Sequence, residues 1–246
     1  MKARWQADGI DTRHVLTDPT RQPGLYLIQL DAAGERTFLY WRNQSAARYL
    51  LQHPDWPQVD AALAGFDAIY LSGISLAILP PADRDRLTDR LAACAAQGVQ
   101  IVFDGNYRPA LWQSRDETRA AYARLLPHVH LALMTDDDER ALWEDADVEA
   151  TIARLQAAGV DKIVVKRGAD GALYAACDER IAVKGETVAR VVDTTSAGDA
   201  FNAGFLARYL QGADAAECCR AGNRLAAIVI QHKGAIIPAE YCRLEG

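Results

Sequence analysis

Asp199 follows two small residues, Ala197 and Gly198, in the stretch Asp193-Thr194-Thr195-Ser196-Ala197-Gly198-Asp199-Ala200-Phe201-Asn202-Ala203-Gly204-Phe205. A helix is expected to start here. Free N–H groups at a helix start make an anion site, and Gly198 lets an anion approach the backbone closely. A carboxylate beside a phosphate cradle stands where phosphoryl transfer needs its general base. The ordinary alternative is a helix with an Asp in its first turn, which is common and mildly stabilising.

Other polar groups end short apolar runs. Ser72-Gly73-Ile74-Ser75 follows Leu71, and Asp104-Gly105-Asn106-Tyr107-Arg108-Pro109 follows Phe103. Thr135-Asp136-Asp137-Asp138-Glu139 follows Met134, and Arg167-Gly168-Ala169-Asp170-Gly171 follows Lys166. Each alone is a turn, but their repeated placement at strand ends suits a ligand cleft. The acidic run at 136–139 could organise Mg²⁺ through water, because Mg²⁺ keeps much of its hydration shell. For Asp137 and Asp138, complementing a helix N-terminus is the simpler role. Arg42 and Arg108 could grip a carboxylate with paired hydrogen bonds, while Tyr26 and Tyr40 could orient a sugar hydroxyl or carbonyl. Solvated or structural roles are the alternative, since surface Arg is common.

The elements that would position these residues follow a strand–helix alternation. Two β-like runs, Gly24–Leu30 and Thr37–Arg42, flank the turn residues Asp31-Ala32-Ala33-Gly34, which predicts a hairpin with Phe38, Tyr40 and Arg42 on one face. Short apolar strands are expected at Ala68–Leu71, Gln100–Asp104, Leu131–Met134 and Lys162–Lys166. Helical stretches run over Asp83–Gln97, Arg115–Leu126, Val148–Ala157, Asp199–Leu210 and Asp214–Gln231. This pattern predicts an α/β fold with a mainly parallel sheet covered by helices, in a single domain carrying a small β hairpin at about residues 24–42.

Composition narrows the function classes. The chain has 246 residues, 50% of them hydrophobic, enough for a substantial core. A formal net charge of −6 gives no reason to expect nucleic-acid binding. No apolar run reaches transmembrane length, and Met1-Lys2-Ala3-Arg4-Trp5-Gln6 does not open a signal peptide. The five cysteines have no Cys-x-x-Cys or zinc spacing and read as reduced side chains, which points to the cytoplasm.

The Asp193–Phe205 string resembles the C-terminal signature of the ribokinase-like, or PfkB, family of carbohydrate kinases, with Ser196 where the family usually has Gly. A longer ordered set resembles the bacterial branch of that family acting on 2-keto-3-deoxygluconate. It comprises Pro23-Gly24-Leu25-Tyr26, Gly34-Glu35-Arg36-Thr37-Phe38, Tyr40-Trp41-Arg42-Asn43 and Tyr70 through Leu79. It continues with Asn106-Tyr107-Arg108-Pro109, Leu111-Trp112, Val164-Val165-Lys166-Arg167-Gly168 and Ile230 through Pro238. The resemblance runs from about Gly9 to the C-terminus. It implies ATP-dependent phosphorylation of the acidic sugar at its terminal hydroxyl, with Mg²⁺.

By the same resemblance, Asp199 is the general base and Ala197 and Gly198 form the anion hole. Tyr26, Tyr40, Arg42 and Arg108 surround the acidic sugar, and Lys166, Gly168 and Asn223 line the nucleotide site. Glu139 matches the acidic end of an Asn-x-x-Glu motif acting on metal through water, with Asp136 in place of the Asn. A homodimer joined through the lid hairpin is implied only by analogy. On the order of sixty N-terminal residues of the family pattern have no counterpart here, including the first strand, part of the lid and some sugar-contacting side chains. Two other readings stay open: a kinase for a neutral sugar such as fructose, and a non-catalytic nucleotide-binding remnant.

Overall fold

A computed structural model of the chain describes residues 1–30 and 36–242. The expected turn at Asp31–Gly34 lies outside them. The chain forms two compact units, Met1–Ile69 with Ile74–Val99, and Tyr70–Gly73 with Gln100–Gly246.

The first unit carries helix α1 (Lys2–Ala7) and an antiparallel hairpin of β1 (Leu25–Leu30) and β2 (Arg36–Trp41). Tyr26 pairs with Tyr40 in the register, so the two positions share a face of the hairpin. Arg42 follows β2 directly, and Gly24 lies against it, where a Cβ would stand 3.2 Å from the Arg42 Cβ. Helices α2 (Trp56–Ala62), α3 (Gly73–Ile78) and α4 (Pro81–Ala95) follow. Pro81 opens α4 at its first position, where a missing N–H costs nothing. Leu51, Trp56 and Leu79 are buried together, with Leu50, Val59, Leu63 and Leu87 packed on them.

A six-stranded sheet runs β3 (Ala68–Ser72), β4 (Gln100–Asp104), β5 (Leu131–Thr135), β6 (Lys162–Lys166), β7 (Ala172–Ala176), β8 (Glu179–Val183), in that order. β4, β5 and β6 are parallel, β7 pairs antiparallel with β6, and β8 pairs antiparallel with β7. Sequence reading predicts β3–β6 to within a residue. It misses β7 and β8, because β7 is rich in Ala and β8 is short and opens with the charged pair Glu179-Arg180.

Helices α5 (Arg115–Leu125), α6 (Asp136–Trp143), α7 (Val148–Ala157), α8 (Ala197–Tyr209) and α9 (Ala215–Val229) complete the second unit. Three start on side-chain caps. Ser114 accepts from the Glu117 amide at 3.1 Å, Asp147 from Ala150 at 2.8 Å and Asp214 from Glu217 at 2.7 Å. Alternate strand residues serve the two faces of the sheet. Val102, Leu131, Leu133 and Val164 pack with Phe201, Phe205, Cys218 and Cys219 of α8 and α9. On the other face Phe103 meets Tyr122 of α5 edge-on, with ring centroids 5.0 Å apart. Burial on both faces explains why these strands read as continuous apolar runs.

The α8–α9 contact depends on small residues. A Cβ on Gly204 would lie 2.5 Å from the Ala221 carbonyl oxygen and 3.1 Å from the Gly222 Cα. Gly204→Val should therefore destabilise the protein by about 1–3 kcal/mol, the usual cost of overpacking. Denaturant unfolding checks this, and an unchanged midpoint would show that the helices separate without cost.

Candidate active site

The start of α8 is built differently from its neighbours. Ser196, the residue before the helix, sits in the left-handed region (φ 62°) and makes no side-chain cap. The helix begins two residues before the expected Asp199, so Ala197 and Gly198 belong to its first turn. The Ala197 N–H donates to the Thr194 carbonyl at 3.2 Å. The N–H groups of Gly198 and Asp199 find no acceptor among the described residues. Two free amides and an exposed Asp199 side chain without a partner among those residues thus stand at one helix end.

Asp193 holds the loop that leads there. Its Oδ1 accepts from the Thr195 amide at 2.8 Å and its Oδ2 from the Gly234 amide at 3.0 Å. The backbone amides of Val192 and Asp193 both donate to the Ile230 carbonyl, at 2.8 and 3.1 Å. The segment before α8 is thereby tied to the turn that follows α9.

Directly behind Gly198 lies a buried polar cluster. A Cβ on Gly198 would be 3.7 Å from the Lys166 Nζ. That ammonium donates to Asp104 Oδ1 at 3.2 Å and to Asn202 Oδ1 at 3.0 Å. Asn202 Nδ2 donates to Asp104 Oδ2 at 2.9 Å and to the Tyr70 hydroxyl at 3.2 Å. Tyr70 in turn donates to Asp104 Oδ2 at 3.3 Å. Burial holds the Tyr70 phenol well above its ordinary range, and the negative charges of Asp104 and Asp199 add to this. Sequence reading singles out Lys166 but passes over Asp104 as a turn residue, and over Asn202 and Tyr70. Charged residues closing two apolar strands, Phe103-Asp104 and Val165-Lys166, were the available signal, as was an Asn one turn beyond Asp199.

The loop after β4 is fixed by close packing. Tyr122 donates to the Gly105 carbonyl at 2.5 Å. A Cβ on Gly73 would collide with both the Tyr122 hydroxyl and the Gly105 carbonyl, so the turns after β3 and β4 meet where only Gly fits. Asn106 takes a left-handed conformation (φ 37°) and Arg108 comes out half-exposed. Arg108 donates to the Tyr107 carbonyl at 2.7 Å and lies 3.5 Å from Asp138. Burial raises the Asp138 carboxyl, with Arg108 acting against the shift.

Glu139 occupies a different environment from Asp137 and Asp138. It is 1% exposed, and its Oε2 accepts from Arg154 at 2.6 Å. Arg154 also binds Asp145 at 2.7 Å and stacks over Trp143 with its carbon 4.5 Å from the ring centroid. The second oxygen of Glu139, Oε1, is buried with no partner and points toward Gly105. Among the described residues no group of three or more His, Cys, Asp or Glu is placed to hold a metal ion directly.

Gly168 opens a left-handed turn (φ 57°) with free space where a side chain would be. Asn223 is buried at 6% exposure and donates to the Lys184 carbonyl at 2.9 Å. A Cβ on the next residue, Gly185, would stand 3.1 Å from Ala169 C and 3.2 Å from Gly171 N. Asn223 and the Gly168 turn are thus linked through Lys184-Gly185, while Lys166 belongs with the cluster behind α8. Tyr26, Tyr40 and Arg42 lie on the hairpin of the first unit, and Arg108 and Asp199 lie in the second.

A mixed sheet whose strand ends carry polar groups, with open amides and an exposed carboxylate at a helix start, is compatible with a phosphoryl-transfer enzyme. Residues 1–242 match the model of the pfkB family of carbohydrate kinases, and the chain belongs to that family. It is 57% identical over 237 residues to a 2-dehydro-3-deoxygluconokinase of Haemophilus influenzae, covering 95% of this chain and 75% of that protein. The 2-dehydro-3-deoxygluconokinase of Escherichia coli K12 is 46% identical over 240 residues, covering 96% and 77%. Among solved structures, a putative ribokinase II of E. coli in complex with ATP and Mg²⁺ superposes with a TM-score of 0.82 at 26% identity. The match covers 95% of this chain and 73% of that one.

Glu139 supplies a test of its environment. Burial pushes its carboxyl from 4.5 up to about 7, against the pull of Arg154. A carboxyl raised on folding makes the native state bind more protons than the unfolded chain between those two values. Stability therefore falls as pH rises through that window. Relative to Glu139→Gln, the wild-type protein should lose up to roughly 3 kcal/mol between pH 4.5 and 7.5. Thermal unfolding of both proteins across that range measures it, and parallel curves would rule it out.

Proposed function

We propose that this chain transfers the γ-phosphoryl group of ATP to the terminal hydroxyl of 2-keto-3-deoxygluconate, giving the 6-phosphate. The observation that carries the reading is the exposed, unpaired Asp199 beside the free amides of Gly198 and Asp199. The names of relatives up to 57% identical support the choice of sugar.

Asp199 takes the proton of the acceptor hydroxyl as its oxygen bonds to the γ-phosphorus, and the bond to the β–γ bridging oxygen breaks to release ADP. The Gly198 amide, with Ala197 framing the turn, receives the negative oxygens of the transferred group. Tyr26, Tyr40, Arg42 and Arg108 hold the acidic sugar, with Arg on its carboxylate. Gly168, whose turn leaves open space, and Asn223, which braces the adjoining Lys184-Gly185 segment, serve the nucleotide side. Mg²⁺ would arrive with ATP and neutralise its phosphates. The orphaned Oε1 of Glu139 suits a water of that ion's shell. The five cysteines are free, which fits a cytoplasmic location.

Release of ADP in the presence of Mg²⁺, followed with 2-keto-3-deoxygluconate, with fructose and with no sugar, tests the reading. Turnover should depend on the acidic sugar. Preference for fructose would make this a neutral-sugar kinase, and no sugar-dependent turnover would make it a non-catalytic nucleotide binder.

Two substitutions test the roles. Asp199→Asn should lower kcat by roughly 10²–10⁴-fold with little change in sugar affinity, the scale of general-base loss. Near-normal turnover would remove Asp199 from the chemistry. Arg108→Ala should raise KM for the acidic sugar about ten- to a hundredfold and leave KM for ATP nearly unchanged. Equal effects on both substrates would place Arg108 outside the sugar site.

A further inference from the structure

Lys166, Asp104 and Asn202 are 7%, 2% and 2% exposed and come from β6, β4 and α8. Their hydrogen bonds close a ring. The Asn202 amide turns its oxygen to the ammonium and its nitrogen to the carboxylate, so neither charge can move without losing a bond. A buried ion pair of this kind adds little stability compared with apolar side chains of the same volume. Its place at the C-terminal ends of β4 and β6, directly behind Gly198, calls for another explanation.

The charges around the pair are unevenly distributed. Asp104 shares the cluster with Lys166, and Asp138 on α6 feels both. Asp199 on α8 acts on Tyr70, whose hydroxyl lies 3.3 Å from Asp104. Phosphoryl transfer brings more negative charge to the same helix start. Lys166 is the buried cation behind it, and Asp104 and Asn202 hold it in place.

We infer that Lys166 is a positioning residue: locked by Asp104 and Asn202, it keeps a fixed positive charge behind the first turn of α8 and supports phosphoryl transfer there without contacting the nucleotide. This rests on the kinase reading and gives Lys166 a place apart from Gly168 and Asn223. A fixed charge that needs no reorganisation favours the transition state over bound substrates. Its loss should appear in kcat and not in ground-state binding.

The test uses Lys166→Met, Lys166→Arg and the double variant Lys166→Met with Asp104→Asn, assayed with ATP, Mg²⁺ and 2-keto-3-deoxygluconate. Lys166→Met alone strands a buried carboxylate and should lower Tm. The double variant removes both charges and keeps the side-chain volumes. It leaves an acceptor at position 104 for the Asn202 amide nitrogen and Tyr70 and loses only the donor to the Asn202 oxygen, so its Tm should lie above that of Lys166→Met. Its kcat should nevertheless stay about ten- to a hundredfold below wild type, with KM for ATP and calorimetric ADP affinity within about twofold. Lys166→Arg, which keeps the charge, should recover part of the loss. A double variant with wild-type kcat would show a purely structural cluster. Weakened ADP binding at unchanged kcat would make Lys166 a nucleotide contact. Either result overturns the inference and leaves the kinase reading standing, whereas a wild-type protein without sugar-dependent turnover overturns both.

Discussion

α8 has to meet α9 closely at one point and present bare amides at its start. These demands are met by different residues on one helix. Phe201 and Phe205 anchor it to the sheet, and Gly204 allows the approach to Ala221 and Gly222. With the helix body fixed this way, its first turn needs no cap to stay in place. The missing cap at Ser196 is then a local cost borne by tertiary packing, and the amides of Gly198 and Asp199 remain free.

The same logic governs the sheet. Parallel strands covered on both faces must be apolar through their length, so polar groups can enter only at the ends. β4 ends in Asp104 and β6 in Lys166, on either side of β5. Neither could be buried alone, since an isolated charge in a low-dielectric interior costs far more than the fold can supply. Together, with Asn202 donating to one and accepting from the other, they are satisfied. The sheet thereby carries a charged pair to the place where the helix start leaves its donors open.

Much of this was legible from sequence, and the limits have physical causes. β4, β6 and α7 fall at their expected bounds, because apolar strands and amphipathic helices declare themselves by period. β7 and β8 do not, because β7 is Ala-rich and β8, at the end of the sheet and largely exposed, is held by its pairing to β7. Asp199 and its loop were readable because a small-residue turn before a helix is a local device. The Asp104–Lys166–Asn202 ring was not, because its members lie 36 to 98 positions apart and meet only after the strands are ordered. Arg154 was missed for the same reason: nothing local to it shows that Glu139 will be its partner.

Three of the groups placed above have no hydrogen-bond partner among the described residues. The Gly198 and Asp199 amides are open donors at the start of α8, and the Glu139 Oε1 is an acceptor facing the loop after β4. Elsewhere in the second unit Ser114, Asp147 and Asp214 cap α5, α7 and α9, while α6, like α8, starts without a side-chain cap. A sequence able to cap three helices could cap α8 as well, at a gain of about 1 kcal/mol. α8 differs from the equally uncapped α6 in its left-handed Ser196, in a first-turn Asp followed by a buried Asn, and in the buried Lys166 behind Gly198. A phosphate at that helix start would accept the two open N–H bonds and bring its charge toward Lys166, so the ligand would complete the hydrogen bonding that the chain leaves unfinished.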